Sequence, residues 1–314
     1  MSALLALLAV LAAIGLGGSS VFGEERARPS PLARLSAREK ASLLVVSGLP
    51  ARRGIGGVIV RRWDRDQPRP PGALVVADQE GGEVRAFPEV PPDVAAAGYS
   101  TAGEARTAGE ATGRSLRKLG VDLDLAPVLD ASGGPLGSRH FEHPASGVAF
   151  ARGLAAGGTG ACVKHFPGLG TARVSTDESP RVKARLTVRE LATFRAAIRG
   201  GVPCVMVGHA VYPRFGVRRA SFSPRAYRLL RRLGFRGVAM TDSVSVFGSD
   251  DAVYAARSAV RAGADMVLYT NAPDAERAVR ALVPLARSGA LDVHVRRVLR
   301  LRHELGVAPA VIGR

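Results

Sequence analysis

Aromatic residues make up only 5% of this chain of 314, and cysteine occurs just twice. So few aromatics leave no platform on which bases could stack. That weighs against a nucleic-acid protein even though 44 Lys and Arg face 27 Asp and Glu, a net charge of +17. The basic residues are also spread along the chain, so a nucleic-acid or scaffold role would rest on charge alone. A solvated, arginine-rich surface accounts for that charge as well as a specific partner does. If the chain is exported, non-specific contact with an anionic cell envelope suits it better. No His, Cys and Asp set has the spacing of a zinc site, no phosphate-binding loop occurs, and no glycine fingerprint opens the first strand–helix unit. No metal and no cofactor are therefore expected. Cys162 and Cys204 lie in apolar, strand-like runs. Buried free thiols are the expected state, with a disulfide between neighbouring strands left open.

Hydrophobic residues are 46% of the chain, enough for a sizeable core. Leu4 to Gly17 is an uninterrupted apolar and small-residue run, followed by Gly18-Ser19-Ser20-Val21-Phe22-Gly23. It reads as a secretory signal with a small-residue exit, although no Lys or Arg precedes it. It is short for a spanning helix, and an uncleaved membrane anchor is the alternative. No Cys near its end offers a site for lipid attachment. The division expected is thus 1–23 leader or anchor, 24–36 a charged, Pro-containing linker, and 37–310 one folded domain, exported and monomeric. Ser36-Ala37-Arg38-Glu39 has the form of a helix capping box at its start.

Eight short apolar runs then recur: Leu43–Val46, Ile55–Val60, Ala73–Ala77, Val121–Ala126, Ala161–Val163, Cys204–Val207, Gly237–Met240 and Ala264–Leu268. After the third, amphipathic segments fill the intervals, among them Glu104–Leu119, Val188–Arg199, Pro224–Leu233, Ala252–Ala262 and Pro273–Ser288. Strands alternating with helices predict a parallel sheet. Eight units in fewer than 290 residues fit a (β/α)8 barrel of the TIM type better than an open sheet. The interval RRWDRDQPRPPG after Val60 is too short and Pro-rich for a crossover helix. The second helix is therefore expected to be missing or irregular. The basic segment Val293–Leu305 is expected to form a helix that closes the barrel.

In such a barrel the site lies at the C-terminal ends of the strands. Asp78-Gln79-Glu80-Gly81-Gly82 follows the third run. Asp122, Asp124 and Asp130 lie in and after the fourth, Lys164-His165 after the fifth, His209 after the sixth and Asp242 after the seventh. Each could be a cap or a solvated loop residue, and Asp242 an N-cap. A ring of carboxylates, Lys and His at one face is harder to explain by structure alone. Paired carboxylates suggest glycoside cleavage, with Asp242 as the nucleophile candidate. The string KHFPGLG, 164–170, adds a cation pair running into a glycine-rich turn.

These strings, with IGGVI at 55–59, DQEGGEV at 78–84, VDLDLAPVLD at 121–130, MVGHAVYP at 206–213, GVAMTDS at 237–243 and VRRVLRLRHELG at 295–306, resemble glycoside hydrolase family 3. The likeness is to its single-domain bacterial β-N-acetylglucosaminidases and covers roughly residues 36–307. It implies a (β/α)8 barrel and a retaining mechanism with Asp242 as nucleophile. Asp78, Lys164, His165 and Arg139 would hold the terminal sugar, and His209 would support His165. The substrate implied is terminal N-acetylglucosamine, typically in peptidoglycan fragments such as muropeptides. These enzymes usually carry a loop histidine as acid/base; here Ser175-Thr176-Asp177 fills that triplet, so Asp177 is the candidate, with Glu178 next. Leu169 replaces another histidine of the motif. The sugar-binding arginine usual after DQEGG is absent or displaced to Arg85. The alternative reading is a degenerate member that binds cell-wall glycans without cleaving them.

Overall fold

The computed structural model describes residues 31–308 except Pro180. Within them, eight parallel strands close into a barrel: β1 (Val45–Ser47), β2 (Gly57–Val60), β3 (Leu74–Ala77), β6 (Leu123–Asp124), β7 (Gly160–Phe166), β8 (Cys204–Val207), β9 (Val238–Ser243) and β10 (Met266–Leu268). A small antiparallel pair, β4 (Gln79–Gly81) and β5 (Val84–Arg85), stands apart. Each barrel strand coincides with or overlaps one of the apolar runs. Strands covered on both faces lose the alternation of a half-exposed sheet and read as continuous apolar stretches.

The helices are α1 (Ala37–Leu43), α2 (Ala102–Lys118), α3 (Pro144–Ala156), α4 (Val188–Arg199), α5 (Pro224–Arg232), α6 (Ala252–Ala262), α7 (Ala272–Arg287) and α8 (Asp292–Glu304). Ser36 caps α1 through the capping box with Glu39. The Pro-rich interval after β2 forms turns, and the interval between β1 and β2 also lacks a helix. Two crossovers, not one, are therefore helix-free. Arg302 of α8 replaces part of what is missing: its buried guanidinium donates to the carbonyls of Gly56 and Gly72. The pairing of β1 with β10 closes the barrel, and α8 packs outside it. The closure expected of α8 is thus made by strand pairing. The leader lies outside the described residues, as does most of the linker. Its last part forms a single 3-10 turn, Pro31–Arg34.

Helix α3 went unread because its glycines look like breakers. Gly153 serves close packing against Gly109 and its neighbours in α2, while Gly147 lies against Leu129 and Phe141. A Cβ on Gly109 would lie 2.3 Å from the Phe150 carbonyl oxygen, and one on Gly153 would lie 2.2 Å from that of Arg106.

The two cysteines form a disulfide, which corrects the expectation of free thiols. The reason is register: Cys162 of β7 stands directly opposite Cys204 of β8, with Cα atoms 4.3 Å apart. At the N-terminal rim, Asp265 is fully buried and receives His294 at 2.8 Å, Arg297 at 2.9 Å and Arg231 at 2.6 Å. This ties α5 and α8 to the base of β10, far from the strand ends that carry the chemistry.

Candidate active site

Extended backbone after β3 turns alternate residues to opposite sides. Asp78 and Glu80 therefore face one way, while Gln79 faces back and donates its side-chain amide to the Phe87, Val90 and Pro91 carbonyls. The Lys164 ammonium, carried in by β7, sits between the two acids, 2.6 Å from Asp78 Oδ1 and 2.6 Å from Glu80 Oε1. Arg139 reaches Glu80 with a two-pronged contact, Nε to Oε2 at 2.8 Å and Nη2 to Oε1 at 2.9 Å. Burial works against the Glu80 charge, but Lys164 and Arg139 outweigh it and hold the carboxyl down at about 2. The same carboxylates raise both cations despite their burial. Asp78 is the open member of this network, its side chain 36% accessible against 3% for Glu80 and Lys164. Beneath it, Asp124 is wholly buried; burial pushes its carboxyl well above the usual range, and its Oδ2 has no hydrogen-bond partner.

Asp242 lies near the end of β9 and accepts the Ser243 N–H at 2.8 Å. Burial favours its neutral form, yet the charge of His165 leads a set of opposing influences that keep it below the ordinary carboxylate value. His165 is itself anchored: its Nδ1 is 2.7 Å and its backbone N–H 3.1 Å from Asp130 Oδ2, while Asp130 Oδ1 accepts the Leu169 N–H at 2.7 Å. Burial opposes the imidazolium, but Asp130 and then Asp242 raise it overall. His209 does not meet His165 by hydrogen bond. Its Nε2 donates to the Ser243 carbonyl at 3.0 Å and its Nδ1 pairs with Ser221 at 2.8 Å, so it props the turn that carries Asp242. Burial lowers His209, which makes it a neutral support near pH 7.

The loop after β7 begins at this end of the barrel and runs to the start of α4. Asp177 is exposed on it, with its N–H bonded to Ser175 Oγ at 3.2 Å. Its charge acts on both Arg139 and His209, which puts it within electrostatic reach of either side of the site. Glu178 is exposed and carries no such link to the site. Arg85 is engaged elsewhere: it donates to the Gly82 carbonyl at 2.9 Å, the Pro88 carbonyl at 3.1 Å and Asp93 at 2.5 Å. It braces the β4–β5 turn, and Arg139 is the arginine that faces the acids. Among the described residues, no group of three or more His, Cys, Asp or Glu is placed to hold a metal ion.

Residues 59–301 match the family model described as glycosyl hydrolase family 3 N terminal domain. The chain belongs to glycosyl hydrolase family 3. A beta-hexosaminidase of Methylococcus capsulatus is 36% identical over 235 residues, covering 67% of this chain and 70% of that protein. Two solved structures share the fold. One is a family 3 beta-N-acetylglucosaminidase from Paenibacillus, with TM-score 0.77 and 27% identity over 89% of this chain, which spans 65% of that one. The other is a beta-N-acetylhexosaminidase from Beutenbergia cavernae, with TM-score 0.74 and 27% identity, over 86% of this chain and 99% of that one.

Within this family 3 barrel, sequence reading brought Asp78, Arg139, Lys164, His165, His209 and Asp242 to one end, and the structure gathers them there. Glu80 and Asp130, named in that ring without a role, each orient a cation. Glu80 was signalled by its two-residue offset from Asp78 in an extended segment; Asp130 had only its place after a strand. The glycines of KHFPGLG also gain a reason. Gly168 has φ +123°, and a Cβ there would lie 2.4 Å from Cδ of Glu190, the buried α4 carboxylate whose Oε1 accepts the Gly170 N–H at 2.6 Å. The loop leaves the site along that carboxylate.

Proposed function

We propose that the protein is a retaining β-N-acetylhexosaminidase that removes terminal β-linked N-acetylglucosamine. The observation that carries this is the placement of Asp242 near the end of β9, at the same end of the barrel as Lys164 and His165 of β7 and the acids Asp78 and Glu80 after β3. The network of Asp78, Lys164 and Arg139 offers a fixed set of donors and acceptors for sugar hydroxyls, with Asp78 the accessible member.

Cleavage then runs in two steps. Asp242 attacks the anomeric carbon while Asp177, on the loop after β7, acts as general acid and gives a proton to the leaving oxygen. The freed aglycone departs and a glycosyl ester remains on Asp242. Asp177 next takes a proton from water, whose oxygen displaces Asp242 and restores the original configuration.

Fragments of peptidoglycan are the substrate class that a +17 charge suits, since such a surface attracts anionic polymers. The leader pattern supports export. So does the disulfide, because such bonds persist in oxidising compartments. The active unit is the monomer.

The deciding assay is hydrolysis of an aryl β-N-acetylglucosaminide across pH 4 to 8, compared with Asp242→Ala. The variant is expected to lose a factor on the order of 10⁴ in kcat, as loss of a covalent nucleophile does. A parent that turns over no substrate would overturn the enzyme reading. Asp177→Ala is expected to stall at the glycosyl ester and to be rescued by azide, which needs no general base. Undiminished turnover would move the role to Glu178.

A further inference from the structure

Beside the catalytic loop lies a cavity whose lining the cleavage steps leave unused. Residues 181–185 read Arg-Val-Lys-Ala-Arg; Val182 and Ala184 are buried while Arg181, Lys183 and Arg185 are exposed. That alternation is the mark of an extended segment with one face inward. The segment lies along the chain that follows β8. Lys183 pairs with Val211, and Val211 pairs in turn with Arg219. The Val211 N–H donates to the Val182 carbonyl at 2.8 Å and the Ala184 N–H to the Val211 carbonyl at 3.0 Å. Directly paired residues present their side chains on the same side of such a ribbon. Lys183, Val211 and Arg219 therefore share a face, and Arg181, two residues before Lys183, joins it.

With Pro213 and Val217, these residues line a cavity of about 620 Å³. Among the described residues, neither Arg181 nor Lys183 has a carboxylate within ion-pair distance. Burial lowers the Arg219 guanidinium and the Arg181 charge lowers it further, with Asp251 and Tyr254 acting the other way. Like charges turned toward one cavity are relieved by an anion. The face is also joined to the reacting centre. The Arg219 guanidinium lies 4.3 Å over the Phe247 ring, and Phe247 packs edge-on against His209 at 4.6 Å. Asp177 stands four residues before Arg181. With Asp177 as proton donor, which must stand on the leaving-group side of the bond it cleaves, the cavity falls on the side from which the leaving group departs.

We propose that the face of Lys183, Arg181 and Arg219 is a leaving-group subsite that selects aglycones bearing a carboxylate. The inference rests on the hexosaminidase reading and specifies its substrate. The lysine supplies a point charge, the arginines planar forks that match a carboxylate, Val211 an apolar floor and the exposed Val217 an apolar rim.

The test compares 3-carboxy-4-nitrophenyl β-N-acetylglucosaminide with its uncharged 3-carboxamide counterpart in the parent, Arg181→Gln, Lys183→Gln and Lys183→Glu. The readout is the ratio of kcat/KM on the two, so a general loss from a disturbed loop cancels. Each neutral variant is expected to lower the ratio about two- to fivefold, the worth of one exposed charge pair. Lys183→Glu should lower it further, and raising salt to about 0.5 M should bring the parent toward the variants. A ratio unchanged in Lys183→Glu overturns the subsite. Absence of turnover on the neutral glycoside would count against the hexosaminidase reading instead. In that event calorimetric titration of the parent with both glycosides still decides the subsite, and equal affinities refute it.

Discussion

The state of Asp242 depends more on His165 than on any other charged neighbour. A nucleophile must be ionised, so activity falls as pH drops through its value. Because that value is depressed below 3.8, the acidic limb of kcat/KM is expected under about pH 4. His165→Asn removes the largest influence holding Asp242 down, and the limb should move to higher pH. A limb that stayed in place would show that His165 acts only on the sugar. Glu80 carries a second prediction, on stability. Its folded value near 2 lies below its ordinary 4.5, so its contribution is complete above 4.5, declines as pH falls and is gone below about 2. Urea unfolding followed between pH 5 and pH 2 should show a slope that Glu80→Gln reduces. The same variant leaves Arg139 without its partner and Lys164 with Asp78 alone, and should weaken substrate use by on the order of tenfold or more.

At the scale of elements, the barrel was legible wherever burial on both faces left an unbroken apolar run, which is why all eight strands could be placed. Helices α4 and α6 were readable to the residue because their polar and apolar faces alternate at helical spacing. Helix α3 was not, since it is apolar and small-residue-rich nearly all round, so polar and apolar faces do not alternate along it as they do along α2. Gly153→Ala is expected to destabilise the fold by about 1–3 kcal/mol through its contact with α2, although alanine is the better helix former; thermal unfolding measures it. The missing helix between β1 and β2 was legible by the same argument of length and composition that applies after β2, since Ser47–Gly54 is only eight residues with a proline and two glycines. The disulfide depended on a register between two strands 42 residues apart in sequence, and pairing register is set by the whole sheet rather than by either strand. Removing it with a Cys162→Ala, Cys204→Ala pair should cost about 2–4 kcal/mol in the oxidised protein and nothing under reducing conditions.

For the molecule as a whole, charge and compartment go together. The mature protein recovered from an export-competent host is expected to begin near residue 24, as N-terminal sequencing would show. A chain that began at Met1 would make the leader an anchor. Release from anionic envelope material should follow added salt, because exposed charges are screened within about 10 Å at 0.1 M. The barrel also imposes an order in time. Its first strand is held by its last, β1 against β10, and the two bare crossovers are held by Arg302. A chain emerging from a ribosome or threading through a translocation channel can assemble its middle staves early. It cannot seal the ring until the final forty or so residues have come through. The native ring is thus a late event in synthesis, fixed by the pairing of the first strand with the last.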